Sequence, residues 1–181
     1  KIIKYEMIIK SFEIHKIKLD INKFILFYGK NDGLKNQATL NLIKGKNQIF
    51  NYEEKEILDN SESFIESVLT KSFFESEKII VIKRATDKII EIIDRLNDRN
   101  IQDLIILINA DNLEKKSKLR SFFEKDKKYA CVAFYPDTEQ TLSKLTFNFL
   151  KEKNISISQS NINLIINKCN GDRESLISEL K

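Results

Sequence analysis

Apolar residues in this chain gather in short runs of strand length, separated by segments that repeat at helical spacing. This alternation restricts the fold more than any other feature. Phe24-Ile25-Leu26-Phe27-Tyr28, Ile79-Ile80-Val81-Ile82, Leu104-Ile105-Ile106-Leu107-Ile108 and Ala130 to Tyr135 are nearly continuous apolar stretches rich in β-branched and aromatic residues. A continuous run, unlike an alternating one, suits a strand buried on both faces, and such strands belong to parallel sheets covered by helices. A weaker strand is read around Ile49 to Ile57. Between the runs, Leu34, Ala38, Leu42 and Ile43 predict a helix stopped at Gly45. Ser63-x-x-Glu66 has capping-box spacing and opens a helix with Phe64, Ile65, Val68 and Leu69 that ends near Phe73-Phe74. Thr86 or Asp87 can cap a helix carrying Ile89, Ile90, Ile93 and Leu96, and Leu113 to Phe123 reads as another. The expectation is a parallel five-stranded α/β sheet over residues 1–136.

Pro136, the single proline, marks a change of character. Beyond it the pattern is helical throughout: Leu142, Leu145, Phe149 and Leu150, then Ile162, Leu164, Ile165 and Ile166, then Leu176, Ile177 and Leu180. A small all-helical domain over 137–181 is expected. The last helix reaches Lys181 without a stop signal and residue 1 is not Met, so the chain is read as a piece of a longer protein. Hydrophobic residues make up 41% of the 181, and a chain of this length buries about 70% of its unfolded surface. Its core therefore needs neither disulfides nor metal. No apolar run approaches the roughly 20 residues that cross a bilayer, and the N-terminus lacks a signal-peptide pattern. A cytoplasmic location without a membrane partner is expected.

The net charge of +4 is mild and carried almost wholly by lysine. The densest cluster is Lys115-Lys116-Ser117-Lys118-Leu119-Arg120, followed by Lys125, Lys127 and Lys128. It reads as a solvated helix face or as a contact for nucleic-acid phosphates through Lys115, Lys116 and Lys118. The cysteines Cys131 and Cys169 form no CxxC pair, and His15 is the only histidine. A zinc site of the usual kind is out of reach, and a histidine-based nucleophile triad would have to use His15, which is read as a surface residue with no nucleophile motif nearby.

A strand ending in glycine and turning into a helix is where phosphate-binding loops sit. Here the turn is Gly29-Lys30-Asn31-Asp32-Gly33-Leu34-Lys35-Asn36. The glycines stand one residue too close for the P-loop pattern, no Gly-Lys-Ser/Thr follows, and Asp32 would repel phosphate. The run Leu104 to Ile108 should then end in acidic residues that hold magnesium. It ends Asn109-Ala110-Asp111, with Asp111 expected as the cap of the next helix. Neither an ATP nor a metal cofactor is expected, and no residue is read as catalytic.

Taken in order, several segments resemble the delta subunit of bacterial DNA polymerase III, a clamp-loader family. They are Phe24 to Gly29 with its glycine turn, Ser72-Phe73-Phe74-Glu75-Ser76-Glu77-Lys78 before Ile79, Leu104 to Ile108, Leu113 to Leu119, and Gly171-Asp172-Arg173-Glu174-Ser175-Leu176. The resemblance implies an AAA+-like, P-loop NTPase-like α/β domain over 1–136 and a helical lid over 137–181, with an all-helical collar domain beyond. It implies a subunit of the polymerase holoenzyme that binds and opens the beta sliding clamp without hydrolysing ATP itself. Its partners would be the clamp, ATP-binding gamma/tau-type and delta-prime-type subunits, and primed DNA indirectly. Phe73 and Phe74, with Leu69 and Ser72, would form the clamp-binding tip. Gly171-Asp172-Arg173 is similar to the lid motif whose arginine senses nucleotide in ATP-binding relatives. With no phosphate loop opposite, Arg173 is read as a relic or a surface ion pair. Two alternatives stand beside this reading: a diverged P-loop-like phosphohydrolase using Asp111 and Lys35, and a generic nucleic-acid-binding domain using the Lys115 to Lys128 cluster.

Overall fold

The computed structural model describes residues 8–46, 48–70, 77–99, 101, 103–126 and 128–181. They fall into two units: 1–30 with 35–134, and 31–34 with 135–181.

The first unit is built on a parallel six-stranded sheet. Its strands are β1 (Ile8–Lys10), β2 (Phe24–Tyr28), β3 (Ile49–Glu53), β4 (Lys78–Ala85), β5 (Leu104–Ala110) and β6 (Tyr129–Ala133). The spatial order is β1-β6-β2-β5-β4-β3. One strand more than expected is present, because Ile8 to Lys10 extends the sheet by pairing with Cys131 to Ala133. Three residues give no periodicity to read, so nothing in the sequence separates this strand from the 3-10 turn Ser11–Lys16 that follows it. Strands β2 and β6 are buried along their whole length, as their unbroken apolar runs require. Edge strand β3 is half exposed and shorter than expected, and Glu54–Asp59 form helix α2 instead of continuing it. Buried Glu54 fixes that corner: its carboxylate accepts the Thr86 N–H at 2.7 Å and the Thr86 hydroxyl at 2.9 Å.

Helices α1 (Asp32–Leu42), α3 (Ser61–Leu69), α4 (Ile90–Asp98) and α5 (Lys118–Glu124) complete this part of the chain. On one face of the sheet, Leu26, Ile80, Ile82, Ile106 and Ile108 share a core with Phe64, Ile65, Val68, Ile93, Leu96, Leu119 and Phe123. Two helix starts differ from expectation. Helix α3 begins at Ser61 after Asn60, so Ser63 lies inside the first turn and caps nothing. Helix α5 begins at Lys118, with Ser117 as its cap and Asp87 accepting the Ser117 hydroxyl and the Lys118 and Leu119 amides. Asp111 is therefore not a helix cap; its carboxylate accepts the adjacent Asn112 N–H.

Three helices, α6 (Glu139–Glu152), α7 (Gln159–Lys168) and α8 (Arg173–Leu180), make up the rest of the chain. Leu142, Ile162, Ile166, Cys169 and Leu176 form their core. Each opens on a side-chain cap: Thr138, Ser158 and Asp172 accept the N–H three residues on.

The end of β2 is closely packed. Gly29 has φ +125°, and a Cβ built there would lie 2.1 Å from the Phe134 carbonyl oxygen. Gly29→Ala is expected to destabilise the fold by about 2–4 kcal/mol through combined strain and clash, read by urea denaturation. A change within experimental error would show that β6 can move aside.

Candidate functional site

The turn that follows β2 is the natural place to look for function, because open α/β sheets bind ligands beyond the carboxyl ends of their strands. Its two ends belong to different units and are built differently.

In the first unit, the Gly29 N–H donates to the Asp111 carbonyl at 3.2 Å, and the Phe134 N–H donates to the Tyr28 carbonyl at 2.8 Å. Strands β2, β5 and β6 thus close against one another where a phosphate loop would open. Lys35, one turn into α1, is only 4% exposed, and its ammonium donates to the Ala110 carbonyl at 2.8 Å. Lys35 reaches the end of β5, where Asp111 follows Ala110, but the lysine is turned onto a backbone carbonyl and the aspartate onto a backbone amide. Strand β3 ends in the acidic pair Glu53-Glu54, but Glu54 accepts from Thr86 and Glu53 pairs with Arg84 at 2.8 Å. Strand β4 finishes Lys83-Arg84-Ala85, with a bulge after Ile82 and Arg84 in the left-handed region at φ +54°. Among the described residues no group of histidine, cysteine, aspartate and glutamate could hold a metal ion. His15 is exposed, and burial pushes the Cys131 thiol up to about 12, far from a thiolate nucleophile at neutral pH.

In the second unit, residues 31–34 and 135–181 converge on one carboxylate. Asp137 accepts two bonds from the Arg173 guanidinium, each 2.7 Å, one from the Thr141 hydroxyl at 2.7 Å and one from the Asn31 amide at 2.7 Å. Asn31 also donates to the Tyr135 carbonyl at 3.1 Å and accepts the Leu34 N–H at 3.0 Å. The pair is partly buried, with the side chains largely covered: that of Arg173 is 11% exposed and that of Asp137 5%. Arg173 is thus an ion pair, as read from the sequence, but a largely covered one. Burial pushes the Asp137 carboxyl up, and the hydrogen bonds from Arg173, Thr141 and Asn31, with the Arg173 charge, outweigh it and hold it below the ordinary range. Neither Asn31 nor Asp137 stands out in the sequence. The signals there are weak ones: Asn before a helix start, and Thr138-x-x-Thr141 just after Asp137.

The remaining expected residues lie elsewhere. Ser72, Phe73 and Phe74 fall outside the described residues. Helix α3 ends at Leu69 with extended Thr70 as its cap. Leu69 itself is half-buried against the core. On the far side of 71–76, Glu77 is held by two lysines, Lys23 at 3.3 Å and Lys46 at 2.5 Å. Lys115, Lys116 and Lys118 are all exposed. Lys116 pairs with Glu114 at 3.0 Å, an exposed contact of little energetic weight.

A parallel α/β sheet in this order followed by a helical part is the AAA+-type fold, and the comparison with solved structures bears this out. The chain is similar to the Bacillus subtilis DNA clamp loader delta protein at 15% identity and a TM-score of 0.64, over 94% of this chain and 56% of that one. It is also similar to the replication initiator DnaA bound to AMPPCP and single-stranded DNA, at 14% identity and a TM-score of 0.58, over 92% and 56% of the two chains. The Thermotoga maritima RuvB Holliday junction branch migration motor follows at 12% identity and a TM-score of 0.52, over 86% and 52%. The chain spans about half the length of each. No protein-family model and no curated protein matches it. No helix among the described residues is long and apolar enough to cross a membrane.

A carboxyl held below its ordinary range stabilises the fold above its unfolded value near pH 4, and that contribution is lost as pH falls through the lowered folded value. Acid unfolding followed by circular dichroism between about pH 5 and pH 2 should therefore be less steep in Asp137→Asn than in the parent chain. Parallel curves would mean that Asp137 is not the group that titrates.

Proposed function

We propose that this chain is the clamp-binding part of a delta-type subunit of a DNA polymerase III clamp loader, binding and opening the beta sliding clamp while ATP is hydrolysed by partner subunits. The observation that carries the reading is an AAA+ fold whose phosphate-loop region is spent internally. Lys35 is turned onto Ala110, Gly29 is closed against Phe134, and Arg173 is held by Asp137. Such a chain keeps the architecture of a nucleotide-driven machine without the open donors that hold a triphosphate. The likeness to a clamp loader delta protein over 94% of this chain supports the same reading.

In this reading Phe73 and Phe74, with Ser72 beside them, are the residues that enter the clamp. Both flanks of 71–76 are anchored. Leu69 packs on the core and the Thr70 hydroxyl donates to the Glu66 carbonyl, while Glu77 is held by Lys23 and Lys46. The domains read as 1–136 and 137–181 would be the clamp-binding body and the lid, with ATP-binding gamma/tau-type and delta-prime-type subunits as neighbours. Lys115, Lys116 and Lys118 are the candidates for phosphate contact with primed DNA inside the assembled loader.

Changing Phe73 and Phe74 together to Ser should remove at least about 2 kcal/mol of affinity for the cognate sliding clamp, measured by calorimetry, with the melting temperature nearly unchanged. A double variant that binds the clamp normally ends the proposal, and one that unfolds places the rings in the core. For DNA, the isolated chain should bind duplex only weakly at physiological salt. In the assembled loader, Lys115→Ala, Lys116→Ala and Lys118→Ala combined should reduce the slope of log affinity against log salt by about 0.9 for each phosphate that is no longer neutralised. An unchanged slope removes these lysines from the interface.

A further inference from the structure

We infer that the C-terminal end of α6 is a docking cleft for a protein partner that offers a large apolar side chain flanked by acidic residues. The cleft is made by the way the helix stops. The Lys153 N–H donates to the Phe149 and Leu150 carbonyls, the Asn154 N–H to the Lys151 carbonyl at 3.0 Å and the Ile155 N–H to the Leu150 carbonyl at 2.9 Å. Asn154 takes the left-handed conformation, at φ +58°, that this kind of ending requires. The chain turns back and brings Ile155 beside Leu150, and both line a cleft of about 340 Å³ with Phe147 and Ile157. Leu150 is buried, yet Ile155 is 53% exposed and Phe147, one turn before it, 54% exposed. Neither belongs to the core shared by α6, α7 and α8. Two exposed apolar walls over a buried floor form a pocket for the anchoring side chain of a partner.

The charges around the cleft select that partner. Lys144 and Lys151 lie one turn to either side of Phe147 on the exposed face of α6, so that a lysine, a ring and a lysine form one stripe. Lys151 lines the cleft itself, and no acidic residue does. Neither lysine has an acidic partner among the described residues. Elsewhere in the second unit cations are matched: Lys168 is held by Glu179 and Arg173 by Asp137. The last carbonyls of α6 are taken up by the cap, which blunts their repulsion of an incoming carboxylate. An apolar anchor with a carboxylate at its side meets both features. A concave cleft is reached by a projecting side chain, which a bilayer surface lacks.

The test is a titration of the isotope-labelled full chain, followed through its amide resonances. The probe is a short capped peptide with Leu-Phe set between glutamates, and its control carries lysines in place of the glutamates. The glutamate peptide is expected to shift the resonances of Phe147, Lys151 and Ile155 at millimolar concentration, and the lysine peptide to leave them in place. Lys151→Glu should weaken the glutamate peptide about tenfold, and Phe147→Ser should remove its binding. Both variants should melt with the parent, because both side chains are exposed. No shifts with the glutamate peptide, equal shifts with both peptides, or an affinity that Lys151→Glu leaves unchanged overturns the inference. Sedimentation with phosphatidylglycerol vesicles that Phe147→Ser abolishes also overturns it, by assigning the stripe to a lipid surface. A concentration-dependent dimer lost in the same variant does so too, by assigning the cleft to a second copy of this chain.

Discussion

Everything in the first unit depends on β2 lying in the middle of the sheet. All five of its side chains are buried, so β6 and β5 must pair with it on either side and helices must cover both faces. The neighbouring strands then run past the end of β2 at hydrogen-bond distance, and the chain can leave only through a residue with no Cβ. Gly29 meets that need beside the Phe134 carbonyl. In a phosphate-binding turn a glycine lets the backbone approach a ligand. Here the same lack of a side chain lets the backbone approach another strand. One residue type serves opposite ends, and only the neighbour distinguishes them.

The sheet is legible in the sequence because burial on both faces writes an unbroken apolar run, which no surface element imitates. Phe24 to Tyr28 and Leu104 to Ile108 are strands for that reason. Where burial is partial the signal fades. Edge strand β3 carries a half-exposed pattern, and its end reads through into α2, where the apolar Ile57 continues the run. Strand β1 is too short to carry a period at all. Helix starts mislead in a different way. Ser63 and Asp111 are good caps by type, but capping is decided by which amides are left unpaired. Tertiary partners settle that first: Asp87, thirty residues away in the chain, takes the amides that open α5.

The candidate site is legible only as a set of absences. A glycine spacing one residue short and a missing Ser/Thr argue against a triphosphate, but they do not say what the polar residues of the turn do instead. Asn31 and Asp137 are 106 positions apart in sequence, and neither has a motif of its own. Only the fold brings them together. Arg173 is visible through its Gly171-Asp172-Arg173 context, yet its burial is not, since nothing local marks an arginine as interior.

The energetics of the Asp137–Arg173 pair explain why such an arrangement persists. Taking two charges out of water costs several kcal/mol, and the mutual attraction offsets this only when the remaining hydrogen-bond positions are filled. Here they are: the carboxylate accepts from Asn31 and Thr141 as well as from both arms of the guanidinium. A pair balanced in this way adds little net stability, but it is highly selective, because only one arrangement of the turn before α1, the start of α6 and the start of α8 satisfies every donor at once. An apolar replacement of equal volume could hold these segments together without fixing their register. The buried charge therefore acts as a specification of geometry.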